Sequence, residues 1–232
     1  MTITPIWKGL AGASALALAA AAAQAQDDAW YPYPVESWDP PFDMSSPRTA
    51  VDYVPLAQAS EPWEICVSFP HMKDAYWLGV GYGVAEEAKR LGVKMQLVEA
   101  GGYTELNTQI SQIEDCVAAG ADAVIIGAIS YDGLNNLVSQ IRAQDIPVID
   151  VINGMSSPEL SAKSLVSFGE MGAKAGAFLA EMHPAGSEAV QAAWFPGPAG
   201  AGWVEAGNSG FLGAVEGSAV EVVDTKYVDT GK

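Results

Sequence analysis

The sequence predicts an α/β protein made of two doubly wound parallel-sheet lobes, the second truncated at the C-terminus. Three observations lead there. Short apolar runs rich in β-branched residues alternate with longer helical stretches from residue 65 onward, glycines close several of those stretches, and the alternation pauses at a polar segment before starting again. Strands that read as nearly continuous apolar runs are buried on both faces, as in a parallel sheet covered by helices. With 232 residues, half of them apolar, the chain has the material for a core.

Residues 1–25 read as an export signal. Lys8 precedes the alanine-rich run 10–23, and Ala23-Gln24-Ala25 supplies a small-x-small cleavage pattern, so the mature chain is expected to begin near Gln26. A membrane anchor needs roughly 20 strongly apolar residues, whereas this run is dominated by alanine and followed by Asp27 and Asp28. Residues 26–60 form an N-terminal arm rich in proline and aromatics, with Trp30-Tyr31-Pro32-Tyr33-Pro34 and Trp38-Asp39-Pro40-Pro41-Phe42. Prolines at this density remove backbone donors and block helix or central strand, so an extended arm is expected, its aromatics packed on the folded body or against a partner.

The first lobe is assigned to 61–160, with strands at 65–69, 93–98, 123–126 and 146–151 and helices at 75–91, 105–119 and 134–144. Gly92 and Gly120 sit where helices end, a position that favours glycine. Residues 153–164 are polar, carry Ser156-Ser157-Pro158, and read as a crossing loop. The second lobe, 161–232, takes a helix at 171–182, a strand at 190–195, a helix at 204–216 and a strand at 220–225. The expectation is that Lys232 precedes the end of this lobe.

A formal net charge of −17 argues against nucleic acid or an anionic membrane as partner, since both require a basic face. Cys66 and Cys116 would meet an oxidising compartment after export, where a disulfide can form. One falls in a strand and the other near a helix end, and two separately buried thiols remain the alternative.

In open parallel sheets ligands bind beyond the carboxyl ends of the strands. The loops there read Pro70-His71-Met72-Lys73-Asp74-Ala75-Tyr76-Trp77, Ala100-Gly101-Gly102-Tyr103, Ala128-Ile129-Ser130-Tyr131, Asn153, and Pro196-Gly197-Pro198-Ala199-Gly200-Ala201-Gly202-Trp203. Aromatics gather at this edge, and arginine is absent from all of these loops. A carboxylate or phosphate ligand is usually met by a guanidinium or a basic cluster, so the pattern disfavours anions. Aromatic faces suit a sugar ring or a quaternary-ammonium-like head. Asp74 is placed as N-cap of the helix at 75, with added negative potential as its second role.

The stretch Phe69-Pro70-His71-Met72-Lys73-Asp74-Ala75-Tyr76-Trp77, with Tyr82-Gly83, Glu99-Ala100-Gly101-Gly102-Tyr103, Gly120-Ala121-Asp122-Ala123-Val124-Ile125 and Trp194-Phe195-Pro196-Gly197-Pro198-Ala199, resembles the periplasmic trimethylamine N-oxide binding and sensing family within the type I periplasmic binding proteins. That resemblance implies the type I periplasmic binding fold, a small-molecule ligand held between the lobes, and the periplasmic domain of a sensor histidine kinase as partner. It carries Asp74, Tyr76, Trp77 and Tyr103 into the ligand site, and Ser130, Asn153, Phe168 and Trp203 complete the candidate set. Trimethylamine N-oxide offers methyls bearing positive charge and an oxygen that only accepts hydrogen bonds, so rings can pack on the methyls while a phenol donates to the oxide. Where the family places a cage tryptophan, in a stretch resembling Val-Asp-Trp-Tyr-Gln-Met-Gly, this sequence reads Val166-Ser167-Phe168-Gly169-Glu170-Met171-Gly172. Phe168 keeps an aromatic face with a weaker quadrupole, Trp203 is the residue placed to compensate, and a related amine oxide, a betaine or another methylated cation stays open as ligand.

A sugar or polyol carrier serving an uptake transporter is the rival reading. It needs many fixed donors and acceptors, and Ser130, Asp132 and Asn153 are the few on offer. The sequence has no Gly-x-Ser-x-Gly elbow, no His-Glu-x-x-His pair and no phosphate loop, so neither catalysis nor a cofactor or metal is expected. Gly79-x-Gly81-x-Gly83 lacks dinucleotide spacing and falls within a helical stretch, where close packing explains it. His183, beside Pro184, reads as a helix C-terminal residue.

Overall fold

The computed structural model describes residues 31–39 and 46–230; the export signal, the start of the arm and Pro40-Pro41-Phe42 lie outside them. The arm is a two-stranded antiparallel ribbon of β1 (Tyr33–Trp38) and β2 (Arg48–Tyr53). An extended arm was expected and a paired ribbon is found, because each strand of such a ribbon has an unpaired outer edge where a missing proline N–H costs nothing. Of the arm's aromatics, Tyr33 and Tyr53 are each 54% exposed and do not pack on the body, while Trp38 is half-buried. The ribbon is tied to the body through Arg48, which bonds Glu36 of the ribbon at 2.9 Å and Glu170 at 2.6 Å.

The main sheet has five parallel strands in the order β4-β3-β5-β6-β7, namely β3 (Glu64–Phe69), β4 (Lys94–Glu99), β5 (Ala123–Ile126), β6 (Val148–Ile152) and β7 (Ala162–Leu165). Successive side chains of a strand point to opposite faces, and β3 divides accordingly. Val67 and Phe69 join the core beneath α1 (Ala75–Leu91), while Cys66 packs with Ile113 of α2 (Leu106–Ala118) and Val138 of α3 (Asn135–Arg142). Cys66 and Cys116 form a disulfide that ties β3 to α2 across a sequence separation of 50. α1 begins at Asp74, whose carboxylate accepts the Trp77 backbone N–H at 2.9 Å, and ends at Gly92 with φ of 71°, a left-handed stop that glycine adopts without steric cost.

The crossing loop expected at 153–164 is corrected: its last residues become β7, which pairs parallel with β6 from Ile149↔Ala162 to Ile152↔Leu165. The alternating exposure of Ala162–Leu165 is that of an edge strand, and four residues with Lys163 and Ser164 among them carry too little apolar signal to be read as one.

The second unit comprises α4 (Phe168–Met182), β8 (Val190–Gly197), α5 (Gly202–Val215) and β9 (Val220–Tyr227), with β8 and β9 paired in parallel. α4 starts three residues before the expected 171, which places Phe168 in its first turn. The two helices approach at backbone distance: a Cβ on Gly172 would lie 2.0 Å from the Gly207 carbonyl oxygen, and one on Gly210 would lie 2.1 Å from that of Gly169. Because neither partner is a flexible side chain, Gly172→Ala should destabilise the protein by about 1–3 kcal/mol or more through overpacking. A chemical-denaturation midpoint equal to that of the unaltered protein would remove this contact from the account.

Candidate functional site

β3 leads to β4 on one side and, after α2, to β5 on the other, so the sheet has its switch point between β3 and β5, the place where open α/β sheets leave a crevice for ligands. Trp77 sits at that point, 3% exposed and with its ring 4.8 Å from that of Phe69. Glycine at 127 makes room for it, since a Cβ there would stand 2.5 Å from Trp77 Cη2. Trp77 is therefore a floor beneath the site rather than an open wall.

Above this edge lies a cavity of about 450 Å³ lined from both units. The first unit contributes Tyr131, Asp132 and Asn153, and the second contributes Phe168, Trp203 and Glu205. The rings form a continuous series, with Phe168 5.4 Å from Trp203, Trp203 5.8 Å from Tyr103, and Tyr103 5.5 Å from His71. The charged side chains lining the cavity, Asp132 and Glu205, are both acidic. A smaller hollow of about 120 Å³ beside Glu64, Lys94 and Cys116 lies at the opposite, amino end of the strands, far from these rings.

Hydrogen bonding fixes the polar part of the wall. The Asn153 amide nitrogen donates to the Ala128 carbonyl at 2.7 Å and to the Tyr103 hydroxyl at 3.0 Å. The carbonyl can only accept, so the amide orientation is set, and Tyr103 oxygen is an acceptor toward it. The indole N–H groups of Trp77 and Trp203 also face that hydroxyl, although the buried N–H of Trp203 makes no hydrogen bond of good geometry. Burial raises the Tyr103 phenol above its ordinary pKa, keeping it protonated and able to donate. His71, fully buried, accepts the Lys73 backbone N–H at Nδ1 and lies 3.2 Å from Thr230 Oγ1 at Nε2.

The sequence-named residues thus divide. Asn153, Phe168 and Trp203 line the cavity, and Tyr103 stands behind Asn153 with its hydroxyl in the same network. Trp77 lies underneath. Tyr76 is 45% exposed and meets Trp77 edge-on, Asp74 is engaged as helix cap, and the Ser130 hydroxyl accepts the Gly133 N–H at 3.1 Å within its turn. Tyr131, Asp132 and Glu205 are among the cavity residues the candidate set omitted, Asp132 having been weighed only for the sugar reading. Tyr131 adjoins Ser130 in a loop already singled out, and it packs on Gly202, where a Cβ would stand 2.6 Å from its ring. Glu205 lies in the first turn of α5, a position whose direction toward the cavity depends on how the second unit docks.

One buried charge underlies the wall. Asp150, on β6, is fully buried, and burial raises its carboxyl from 3.8 to about 6 against the opposing pull of the Met155 N–H and Lys163. Nearby Ile152 has φ of 70°, a strain of about 1–3 kcal/mol for a residue held outside its preferred region.

Residues 65–231 match the family described as periplasmic binding protein domain. The chain belongs to that family. Periplasmic protein TorT of Escherichia coli K12 is 35% identical over 172 residues, 74% of this chain and 49% of TorT, so the chain spans about half the length of the curated relatives it matches. The complex of the TorS sensor domain with TorT in the presence of TMAO aligns at a TM-score of 0.62 and 34% identity, covering 72% of this chain and 56% of that one. An ABC transporter solute binding protein from Bradyrhizobium sp. BTAi1 with bound bis-tris is 67% identical with a TM-score of 0.70, covering 85% of this chain and 60% of its own. A carbohydrate transporter solute binding protein from Agrobacterium radiobacter in complex with D-arabinose gives 0.67 at 26% identity, covering 75% and 60%. The family is one of periplasmic binding proteins, and among the described residues no helix is long and apolar enough to cross a membrane.

The raised carboxyl of Asp150 sets a pH dependence. The folded state holds its proton more tightly than the unfolded chain, so the stabilising effect is complete below 3.8 and is lost as pH rises through about 6. A rise from 3.8 to about 6 corresponds to about 3 kcal/mol. In melts across that window the unaltered protein should gain on Asp150→Asn as pH falls; parallel curves would show that the carboxyl is not titrating there.

Proposed function

We propose that this protein binds a small methylated amine, trimethylamine N-oxide or a close relative, in the aromatic cavity between its two α/β units, and passes the bound state to the periplasmic domain of a membrane sensor kinase. The observation that carries this reading is the composition of the cavity: aromatic faces from Tyr131, Phe168 and Trp203, acidic charge from Asp132 and Glu205, and no lysine or arginine among its lining residues. Electron-rich faces attract a positively polarised methyl shell, and acidic groups reinforce that preference while repelling carboxylates and phosphates.

The oxygen of such a ligand also has a partner. Tyr103 oxygen accepts the Asn153 N–H and is faced by the indole N–H of Trp77, groups that donate and do not accept, so its own hydrogen is left for an acceptor brought by the ligand. An amine oxide supplies one. The TorT relative was solved in the presence of TMAO with a sensor domain, and the Bradyrhizobium relative holds bis-tris, a tertiary amine; both fit a pocket for substituted nitrogen. Contacts from both units favour a closed arrangement once ligand is bound, and that change of shape is what a membrane partner would read.

The second reading is a solute carrier for an uptake transporter, supported by the descriptions of the Bradyrhizobium and Agrobacterium relatives, the latter holding a sugar. Calorimetric titration of the full protein with trimethylamine N-oxide, betaine, choline and ribose separates the two: heat from the methylated amines is expected, and heat from ribose alone would overturn the amine reading. Trp203→Ala should weaken trimethylamine N-oxide binding by about 0.5–2 kcal/mol, and an unchanged affinity would place the ligand elsewhere.

A further inference from the structure

The turn that presents Asn153 to the cavity is built around a buried carboxylate. In the sheet register Asp150 lies between Ile126 of β5 and Lys163 of β7. Its Oδ2 accepts the Met155 N–H at 2.7 Å, the Gly154 N–H also bears on it, and Oδ1 is buried without a partner. Lys163 reaches the same turn from the neighbouring strand and donates to the Met155 carbonyl at 2.7 Å. Lys163 is the charged side chain whose field lowers the Asp150 carboxyl, while β5 opposite presents the apolar Ile126.

Between these anchors the backbone passes through positive φ at Ile152, 70°, and Gly154, 87°. The Asn153 N–H closes on the Val151 carbonyl at 2.8 Å. A β-branched residue keeps such a conformation only where its surroundings impose it. The turn then aims Asn153 at the Tyr103 hydroxyl and the Ala128 carbonyl.

We propose that Asp150 is a positioning residue for the ligand: its ionised carboxylate holds the 152–155 turn, so that Asn153 keeps the Tyr103 hydroxyl directed at the ligand oxygen. This rests on the binding reading above, although the ordering of the turn is a property of the ligand-free protein as well. An ionised acceptor grips N–H donors about twice as strongly as a neutral one. Replacing it with an amide therefore relieves the burial penalty on the charge but loosens the turn. Stability and affinity move in opposite directions, whereas a residue retained only for packing would lower both together.

The test uses the full protein and Asp150→Asn, with Lys163→Gln as a second variant. At about pH 7.5, where the carboxylate is ionised, Asp150→Asn should melt no lower than the unaltered protein. Its amides at 152–156 should exchange hydrogen about tenfold faster in the absence of ligand, and it should bind trimethylamine N-oxide about tenfold more weakly. Below about pH 6 the unaltered protein should approach the variant in exchange, after correction for intrinsic rates. Unchanged exchange at 152–156 overturns the proposal, and so does a joint loss of stability and affinity. Were trimethylamine N-oxide not to bind the unaltered protein while exchange responds as expected, the ligand reading would fall and the ordering of the turn by Asp150 would stand. If Asp150→Asn does not fold, Lys163→Gln, which removes the second anchor at Met155 and leaves the carboxylate, must show the same faster exchange.

Discussion

The candidate site depends on one hydrogen-bonded knot at the carboxyl end of the sheet, where the Asn153 amide joins the Ala128 carbonyl after β5 to the Tyr103 hydroxyl after β4. Three loops that are distant in sequence are locked together there by a side chain with one amide nitrogen and two hydrogens. Once Asn153 donates both, the polarity of the wall follows. Tyr103 receives hydrogen bonds from the protein and has its own to give outward. On the proposed binding reading, that hydrogen is the one offered to a ligand oxygen.

The layers beneath this knot explain why it can be rigid. Trp77 fills the switch point of the sheet and packs on Phe69 through the gap left by Gly127. Its indole N–H faces the Tyr103 hydroxyl, so the ring that packs on Phe69 also borders the polar wall. The disulfide between Cys66 and Cys116 fixes α2 to β3 on the opposite face, and Gln109 of α2 bonds the Gly127 carbonyl at 3.0 Å and the Ile129 N–H at 3.0 Å. The loop after β5 is thus held from below on one side and by Asn153 on the other. Asp150 fits the same pattern: a buried carboxyl that accepts the Met155 N–H at the end of the turn carrying Asn153.

The second unit completes the site rather than merely adjoining it. Phe168 and Trp203 come from the first turns of α4 and α5, and those helices are pressed together along glycine faces. The spacing between the two rings is therefore set by backbone contact, not by adjustable side chains. Tyr131 of the first unit rests on Gly202 of the second, and Arg48 joins the N-terminal ribbon to Glu170 on α4. The cavity has rigid walls on both sides, and its volume responds to how the units sit against each other.

Taken alone, the residue pattern determined the α/β class, the order of most strands and helices, and the aromatic, arginine-free character of the loops at the carboxyl edge of the sheet. Those are local or compositional properties: periodicity reports burial, and glycine and proline report where the backbone must turn. Asn153 and Trp203 could be named because they lie in loops that follow apolar runs at the expected edge, whereas Phe168 was named only through the family resemblance, its helix having been expected to start at 171. Tertiary structure alone decided that Cys66 and Cys116 pair, that Ala162–Leu165 joins the sheet as an edge strand, and that Trp77 lies under the site while Tyr131 and Glu205 face it. Each of these depends on the position of residues far away in the chain. Neither the direction of a side chain across a gap between two units nor the burial of Asp150 between neighbouring strands leaves a periodic trace in the sequence that produces it.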